Sequence, residues 1–324
     1  MNNTILLTKE EVIQALNYHE LIPLIRDAFA GLSAGTLKIL PRNAIFHENG
    51  NILAQMPAYI PELGISGTKI AMFPGPGKAD TCQSSILLFD SDSGALKAII
   101  AAEPITVVRT AASSAAATDV LARPDASILC LMGAGAQAIG HAQAICAIRP
   151  IKEIRIWSND PQSTRSGSEK ISALCPNARV ITCGDARQAV ADADIICTVT
   201  KAKEPVLFGQ WLRPGAHINA VGAVSPFARE LDTSVLTQSS VYVDQKDACL
   251  STAGDLLIPI KEGQFDKEQI TGEIGEVVNG TCPGRAPGDD KTITVFESIG
   301  LGFQDVVAAY SALKNTTPVH SIAF

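Results

Sequence analysis

The sequence predicts an α/β fold of two domains, one of them a doubly wound parallel sheet, and three observations carry that expectation. The chain of 324 residues is longer than one hydrophobic core usually organises. Beyond Pro124, short apolar strands alternate with helical stretches, the rhythm of a parallel sheet covered on both faces. The first of those strands runs into Gly133-Ala134-Gly135-Ala136-Gln137-Ala138, a glycine-rich corner that opens a helix.

Taken in order, residues 8–33 begin with Thr8 as an N-cap ahead of Lys9-Glu10-Glu11-Val12. Apolar residues then recur at helical spacing through Leu16, Leu21, Leu24, Ile25 and Phe29, which predicts one or two helices. From Arg42 to Ile100 the texture changes to β-like runs at 51–56, 65–72, 85–90 and 96–101. The turn Asp90-Ser91-Asp92-Ser93-Gly94 between the last two predicts an antiparallel sheet. Residues 106–121 are alanine-rich and read as a helix that ends near Arg123-Pro124. The parallel sheet is expected to take strands at 127–132, 153–157, 179–183, 194–200, 217–221 and 240–243. Helices are expected at 136–147, from about Pro161, and at 186–191, and the tail 292–313 reads as helical, folding back onto the first domain.

Composition narrows the function class. Apolar residues make up 46% of the chain, enough for two cores, and 26 basic against 33 acidic residues give a formal charge of -7. That balance disfavours a nucleic-acid partner, whose phosphates need a concentrated positive face, and favours a small organic ligand. No basic segment followed by an apolar run opens the chain, and no apolar run is long enough for a bilayer, so a cytoplasmic protein without a membrane partner is expected. The eight cysteines show no C-x-x-C spacing and several sit in apolar runs, which predicts buried thiols in a reducing compartment and no metal.

The glycine corner predicts a dinucleotide site. Gly133 permits the tight turn, Gly135 removes the side chain that would block a diphosphate, and Ala138 lets helix and strand pack closely. With Ala134, Ala136 and Gln137 these residues form the phosphate cradle, where the helix N-terminus offers unpaired N–H groups. The next strand ends in Trp157-Ser158-Asn159-Asp160, so Ser158, Asn159 and Asp160 are the candidates for the ribose. Neither an acid in the ideal place for NAD nor an arginine for NADP stands there, and the cofactor is read as NAD(P)H.

Seven stretches, in order, resemble the ornithine cyclodeaminase/mu-crystallin family. They are Pro41-Arg42, Gly67-Thr68-Lys69, Val108-Arg109-Thr110-Ala111-Ala112, the Gly133 corner, Pro214 to Ala223, Arg229-Glu230-Leu231-Asp232 and Ser298-Ile299-Gly300. The resemblance implies a substrate-binding and dimerisation domain at 1–122, a Rossmann domain at 123–298, a C-terminal helix at 299–324 returning to the first, and a homodimer. It implies that Arg42, Lys69 and Arg109 hold a small imino or amino acid, Lys69 and Arg109 acting in catalysis, with Gln83 beside them. It further implies that Ser84, Arg109, Thr110, Thr200, Val221 and Ser298 line the cofactor. Two guanidinium groups suit a carboxylate, and a buried lysine beside them suits proton transfer. His217 reads as a packed histidine.

Three departures from the family pattern bear on the reaction. Val224 stands where ornithine cyclodeaminases carry an aspartate, and a valine handles neither a proton nor an ammonium. No arginine is present near Asn159, and Glu297 replaces a frequent lysine. The expected activity is therefore NAD(P)H-dependent reduction of the C=N bond of a cyclic imino acid, such as pyrroline-2-carboxylate or piperideine-2-carboxylate. The alternatives are ornithine cyclodeaminase, an alanine- or opine-type dehydrogenase, and a low-activity NAD(P)H-binding protein like mu-crystallin.

Overall fold

The structure is a computed structural model that describes residues 3–75, 77 and 82–323. The chain divides into two compact units, residues 1–110 with 300–324, and residues 111–299. The expected break after residue 122 falls instead within a helix, because that helix's second half makes its hydrogen bonds in the second unit: Ser114 to His141, and Thr118 to Asn219.

In the first unit β1 (Asn3–Leu7) leads into α1 (Lys9–Ala15) and α2 (Tyr18–Ser33). The Thr8 cap is present as a full capping box, its hydroxyl accepting from the Glu11 N–H while Glu11 accepts from the Thr8 N–H. There follow β2 (Lys38–Ile39), β3 (Asn43–Phe46), β4 (Ile52–Ile60), β5 (Ile65–Phe73), β6 (Gln83–Asp90), β7 (Leu96–Ala101) and the long α3 (Glu103–Leu121). The sheet runs β16-β1-β7-β6-β5-β4-β2, where β16 is His320–Ala323 near the end of the chain, with β3 also on β4. It is antiparallel except at β1 and β7, and the Asp90–Gly94 turn closes the β6–β7 hairpin as expected.

The second unit is an eight-stranded parallel sheet. Its elements are β8 (Ile128–Met132), α4 (Ala136–Cys146), β9 (Glu153–Trp157), α5 (Pro161–Leu174), β10 (Arg179–Thr182), α6 (Ala186–Val190), β11 (Ile195–Thr198), β12 (His217–Ala220), α7 (Thr233–Thr237), β13 (Ser239–Val243), α8 (Lys246–Thr252), α9 (Gly254–Lys261), β14 (Ile270–Glu273), α10 (Ile274–Val278) and β15 (Ile293–Glu297). Strand order is β10-β9-β8-β11-β12-β15-β13-β14, which places the reversal of winding beside β8, between β9 and β11.

The tail corrects the sequence expectation. Residues 293–297 are not the start of a helix but a strand, fully buried between β12 and β13. Their β-branched and aromatic run suits a strand covered on both faces, and a short apolar run cannot be told from a helix by periodicity alone. The helix starts later, as α11 (Gly302–Lys314), which packs on β4, β5 and β6 of the first unit, and β16 (His320–Ala323) then pairs with β1. Gly67 and Gly302 allow that close packing. A Cβ on Gly67 would meet Val306 at 3.0 Å, and one on Gly302 the Met56 carbonyl at 2.9 Å.

Candidate active site

In the first unit the strand register gathers a cationic group under α11. Lys69 on β5 pairs with Met56 on β4 and Ile86 on β6, all three buried and on the face that α11 covers. The Lys69 ammonium donates to the Thr106 hydroxyl at 2.6 Å and to Asp305 Oδ1 at 3.1 Å. Arg109, one helical turn beyond Thr106 on α3, donates from Nη1 to Gln304 Oε1 at 2.7 Å and brings Nε within 3.4 Å of the same Asp305 oxygen. Two buried cations thus share one carboxylate, which leaves the group positive by one formal charge.

Burial holds the Lys69 pKa below the ordinary lysine range. Asp305 opposes that shift and Arg109 adds to it. Asp305 Oδ2 and Gln304 Nε2 are buried and make no hydrogen bond among the described residues, so an acceptor and a donor remain open to a ligand beside the cations. Gly300 explains its own motif: its φ is +77°, and a Cβ there would collide with the Arg109 guanidinium.

The other expected residues of this unit are distributed around that group. Pro41-Arg42 fills the break between β2 and β3, where Ile39 faces Ala58 and Asn43 faces Gln55. Arg42 is therefore within a residue of Met56, the strand partner of Lys69, and is exposed. Ser84 pairs with Ala71, which shares the face of Lys69, whereas Gln83 pairs with Met72 and lies on the opposite face. Thr110 is buried and donates to the Thr106 carbonyl.

In the second unit the remaining expected residues collect at one edge of the sheet. Gly133, Ser158, Thr200, Val221 and Ser298 each follow the carboxyl end of a parallel strand, β8, β9, β11, β12 and β15 respectively. Ligands of open α/β sheets bind outside that edge. Gly133 has φ +118°, and a Cβ there would come within 2.8 Å of the Val199 carbonyl. Gly135 is the N-cap of α4, with no side-chain cap, and a Cβ on it would meet nothing within 4 Å. The first-turn amides of Ala136, Gln137 and Ala138 are thus uncapped by any side chain and the space before Gly135 is open, the shape a diphosphate requires. Ala134 is buried against Gly167 of α5, where a Cβ would lie 2.7 Å from the Ala134 carbonyl. Asn159 is exposed in the loop before α5, and Asp160 caps that helix, accepting from the amides of Gln162 at 3.1 Å and Ser163 at 3.2 Å.

The same edge holds buried acids that sequence reasoning passed over. Glu230 accepts from Thr200 N at 2.6 Å and from Gly222 N at 2.7 Å, tying the ends of β11 and β12 together. Asp255 accepts from the amides of Glu230 and Leu231, both at 2.8 Å. Asp244 accepts from the Ser298 hydroxyl and the Ile299 amide. Burial raises the pKa of Glu230, pushes Asp255 up to about 8 with the neighbouring Glu230 adding, and holds Glu297 well above the carboxylate range. Buried histidines behave as packed residues: His217 bonds Thr294 and Asn219, and burial lowers its pKa to about 3.

The profile of the ornithine cyclodeaminase/mu-crystallin family matches residues 2–317. The chain belongs to that family. It is 38% identical over 312 residues to the ketimine reductase mu-crystallin of Mus musculus, with 94% of each chain covered. Among solved structures it is similar to the Δ1-pyrroline-2-carboxylate reductase of Thermococcus litoralis in complex with NADH and L-proline. That likeness has a TM-score of 0.90 at 33% identity, over 96% of this chain and 97% of the other. An archaeal alanine dehydrogenase dimer with bound NAD gives a TM-score of 0.89 at 27% identity, over 99% of both chains.

As a member of the ornithine cyclodeaminase/mu-crystallin family, the chain has acquired reasons for its motifs. Arg229-Glu230-Leu231-Asp232 is the clamp that shapes the β11 and β12 ends, and Ser298-Ile299-Gly300 leads from an acid-bonded serine to the glycine beneath Arg109. Gln304 and Asp305 were the omitted members of the cationic group. Their signal was a polar pair inside the apolar run Gly302 to Ala309, where every residue is buried. Val224 is half-exposed in the loop after β12 and bears no charge.

Proposed function

We propose that this protein is an NAD(P)H-dependent reductase of the C=N bond of small cyclic imino acids, turning pyrroline-2-carboxylate or piperideine-2-carboxylate into proline or pipecolate. The observation that carries the reading is the buried cationic pair on one carboxylate, Lys69 and Arg109 on Asp305, in a family whose similar members are a ketimine reductase and a pyrroline-2-carboxylate reductase. The group is one positive charge in excess, which a substrate carboxylate neutralises, and Arg109 offers a planar fork for it. Arg42 supplies the second guanidinium at the exposed rim.

The dinucleotide, held by Gly133, Ala134, Gly135, Ala136 and Gln137, supplies the hydride when bound. Lys69 has its ammonium fixed by Thr106 and Asp305, and it orients the imine nitrogen and gives it the proton that balances the hydride gained at carbon. Its lowered pKa makes that transfer easier than from an ordinary lysine. Asp305 holds the two cations apart from one another and in register, and at the sheet edge of the second unit Thr200, Val221 and Ser298 line the cofactor.

No helix among the described residues is long and apolar enough to cross a membrane. All eight cysteines are free, which fits a reducing cytoplasm. The first unit serves substrate binding and dimerisation. Ile45, Tyr59 and Ile70 share the sheet face opposite α11 and are 63%, 42% and 37% exposed, an apolar surface for a second copy of the chain.

Oxidation of NADPH and NADH in the presence of the two cyclic imino acids tests the proposal, with proline or pipecolate as product. Absence of turnover with both, alongside alanine formed from pyruvate and ammonia, would replace it by a dehydrogenase of linear substrates. Release of ammonia and proline from ornithine would replace it by cyclodeaminase chemistry, against which the uncharged Val224 stands.

A further inference from the structure

A pocket of about 360 Å³ opens beside the end of β9, between α5 and the loop after β10. Its walls include Ser158, Thr164, Arg165, Ser168, Thr182 and Gly184. It lies in the second unit on the strand that follows the glycine corner, where a Rossmann domain meets the ribose of the adenosine half. An NAD site presents a free Asp or Glu there, whose two oxygens take the ribose hydroxyls.

This pocket has no such acid. Asp160 is the carboxylate at the strand end, and its oxygens are turned away to cap α5: Oδ1 accepts from Gln162 N, and Oδ2 from Ser163 N and the Ser163 hydroxyl. Ser158 and Thr164 lock the loop in that arrangement, both hydroxyls lying on the Asp160 carbonyl at 2.9 and 3.0 Å. No carboxylate lines the pocket. The one charge on its wall is Arg165, exposed and with no ion pair among the described residues. Thr182 adds a hydroxyl, and at Gly184 a Cβ would meet nothing within 4 Å, so the mouth is open. A dianionic group is thus met by a guanidinium and repelled by no carboxylate on the wall, while a bare ribose diol finds hydroxyls but no carboxylate to take both its protons.

We propose that this pocket seats the 2'-phosphate of the cofactor's adenosine, that Arg165 is the residue that reads it, and that the enzyme takes NADPH in preference to NADH. The inference rests on the dinucleotide reading of the Gly133 corner and names which dinucleotide that corner serves. The strand end itself, Trp157-Ser158-Asn159-Asp160, carries no arginine. The structure supplies one from the second turn of α5, which a linear pattern does not place beside Ser158.

Titration calorimetry with two fragments, 2',5'-ADP and 5'-AMP, tests the inference without any imino acid. We expect 2',5'-ADP to bind at least about tenfold tighter, as one charge-assisted hydrogen-bonded pair is worth. Arg165→Ala removes that advantage, Arg165→Lys restores part of it, and the ratio of kcat/KM for NADPH over NADH falls in step. Circular dichroism checks that the variants fold, which the exposed helical position favours. Equal binding of the two fragments, or an Arg165→Ala effect of equal size on both, overturns the inference while leaving the reductase reading intact. Failure of both fragments and both dinucleotides to bind overturns the Gly133 reading along with it.

Discussion

The buried cations of the first unit and the buried acids at the sheet edge of the second are accommodated by opposite means. In the first, Lys69 and Arg109 face a single carboxylate, Asp305, and the charges meet directly at 3.1 and 3.4 Å. In the second, Glu230, Asp255 and Glu297 are buried with no lysine or arginine ion pair among the described residues; backbone amides hold Glu230 and Asp255, and burial raises the pKa of all three. The difference separates two uses of a buried ionisable group. An excess of one positive charge attracts an anion and is a site. An excess of acid is made tolerable by protonation and by amide donors that fix loop ends, and is a scaffold.

Four experiments break or sharpen that contrast. Lys69→Met has the largest expected effect, lowering kcat/KM for the imino acid by about 10² to 10⁴, the usual worth of a positioned proton donor. Affinity for the 5'-AMP fragment, measured by calorimetry, is expected to stay as it was; a matching loss there would mean that the variant had damaged the fold instead.

Two Asp→Asn exchanges, alike in chemistry, are expected to act with opposite sign. Asp305→Asn leaves two buried cations without their carboxylate and destabilises by about 3 to 5 kcal/mol, read from urea unfolding. Asp255→Asn retains an oxygen for the amides of Glu230 and Leu231 and replaces an acid that has to hold a proton among other acids. The folded pKa of Asp255 is raised to about 8 from 3.8. Its contribution to stability is therefore full below the unfolded value and lost as pH rises through about 8. The variant's advantage grows across that window and reaches about 5 °C in Tm above it. An Asp255→Asn protein less stable than the parent at alkaline pH would show that the carboxylate is wanted charged.

The pH profile gives the smallest effect. Since burial lowers the Lys69 pKa and Asp305 opposes this, the alkaline fall of kcat/KM is expected below the ordinary lysine value of 10.5. In Asp305→Asn it moves further down, by about one pH unit. A limb that stays in place in that variant assigns the titration to another group.

Much of the second unit was legible beforehand, because a buried parallel strand is written as a continuous apolar run and a dinucleotide turn as glycines at fixed spacing. Ser127 to Met132, the Gly133 corner and the β9 strand followed from those local patterns. The family motifs likewise located Arg42, Lys69 and Arg109. Residues 293–297 read as helix from the sequence, since a five-residue run with three apolar residues satisfies a helix and a strand equally until its neighbours are known.

What the chain determined by itself was the set of elements and the chemical types at each corner, for these depend on residues close in sequence. The tertiary structure alone decided which distant groups meet. Asp305 lies 236 residues from Lys69, and only the docking of α11 on β4, β5 and β6 makes it the counterion. Only the turn of α5 against β10 puts Arg165 on the wall beside Ser158. Electrostatic and hydrogen-bond energies fall within a few ångströms, so pairing is a property of the packed surface and not of the order of residues along the backbone.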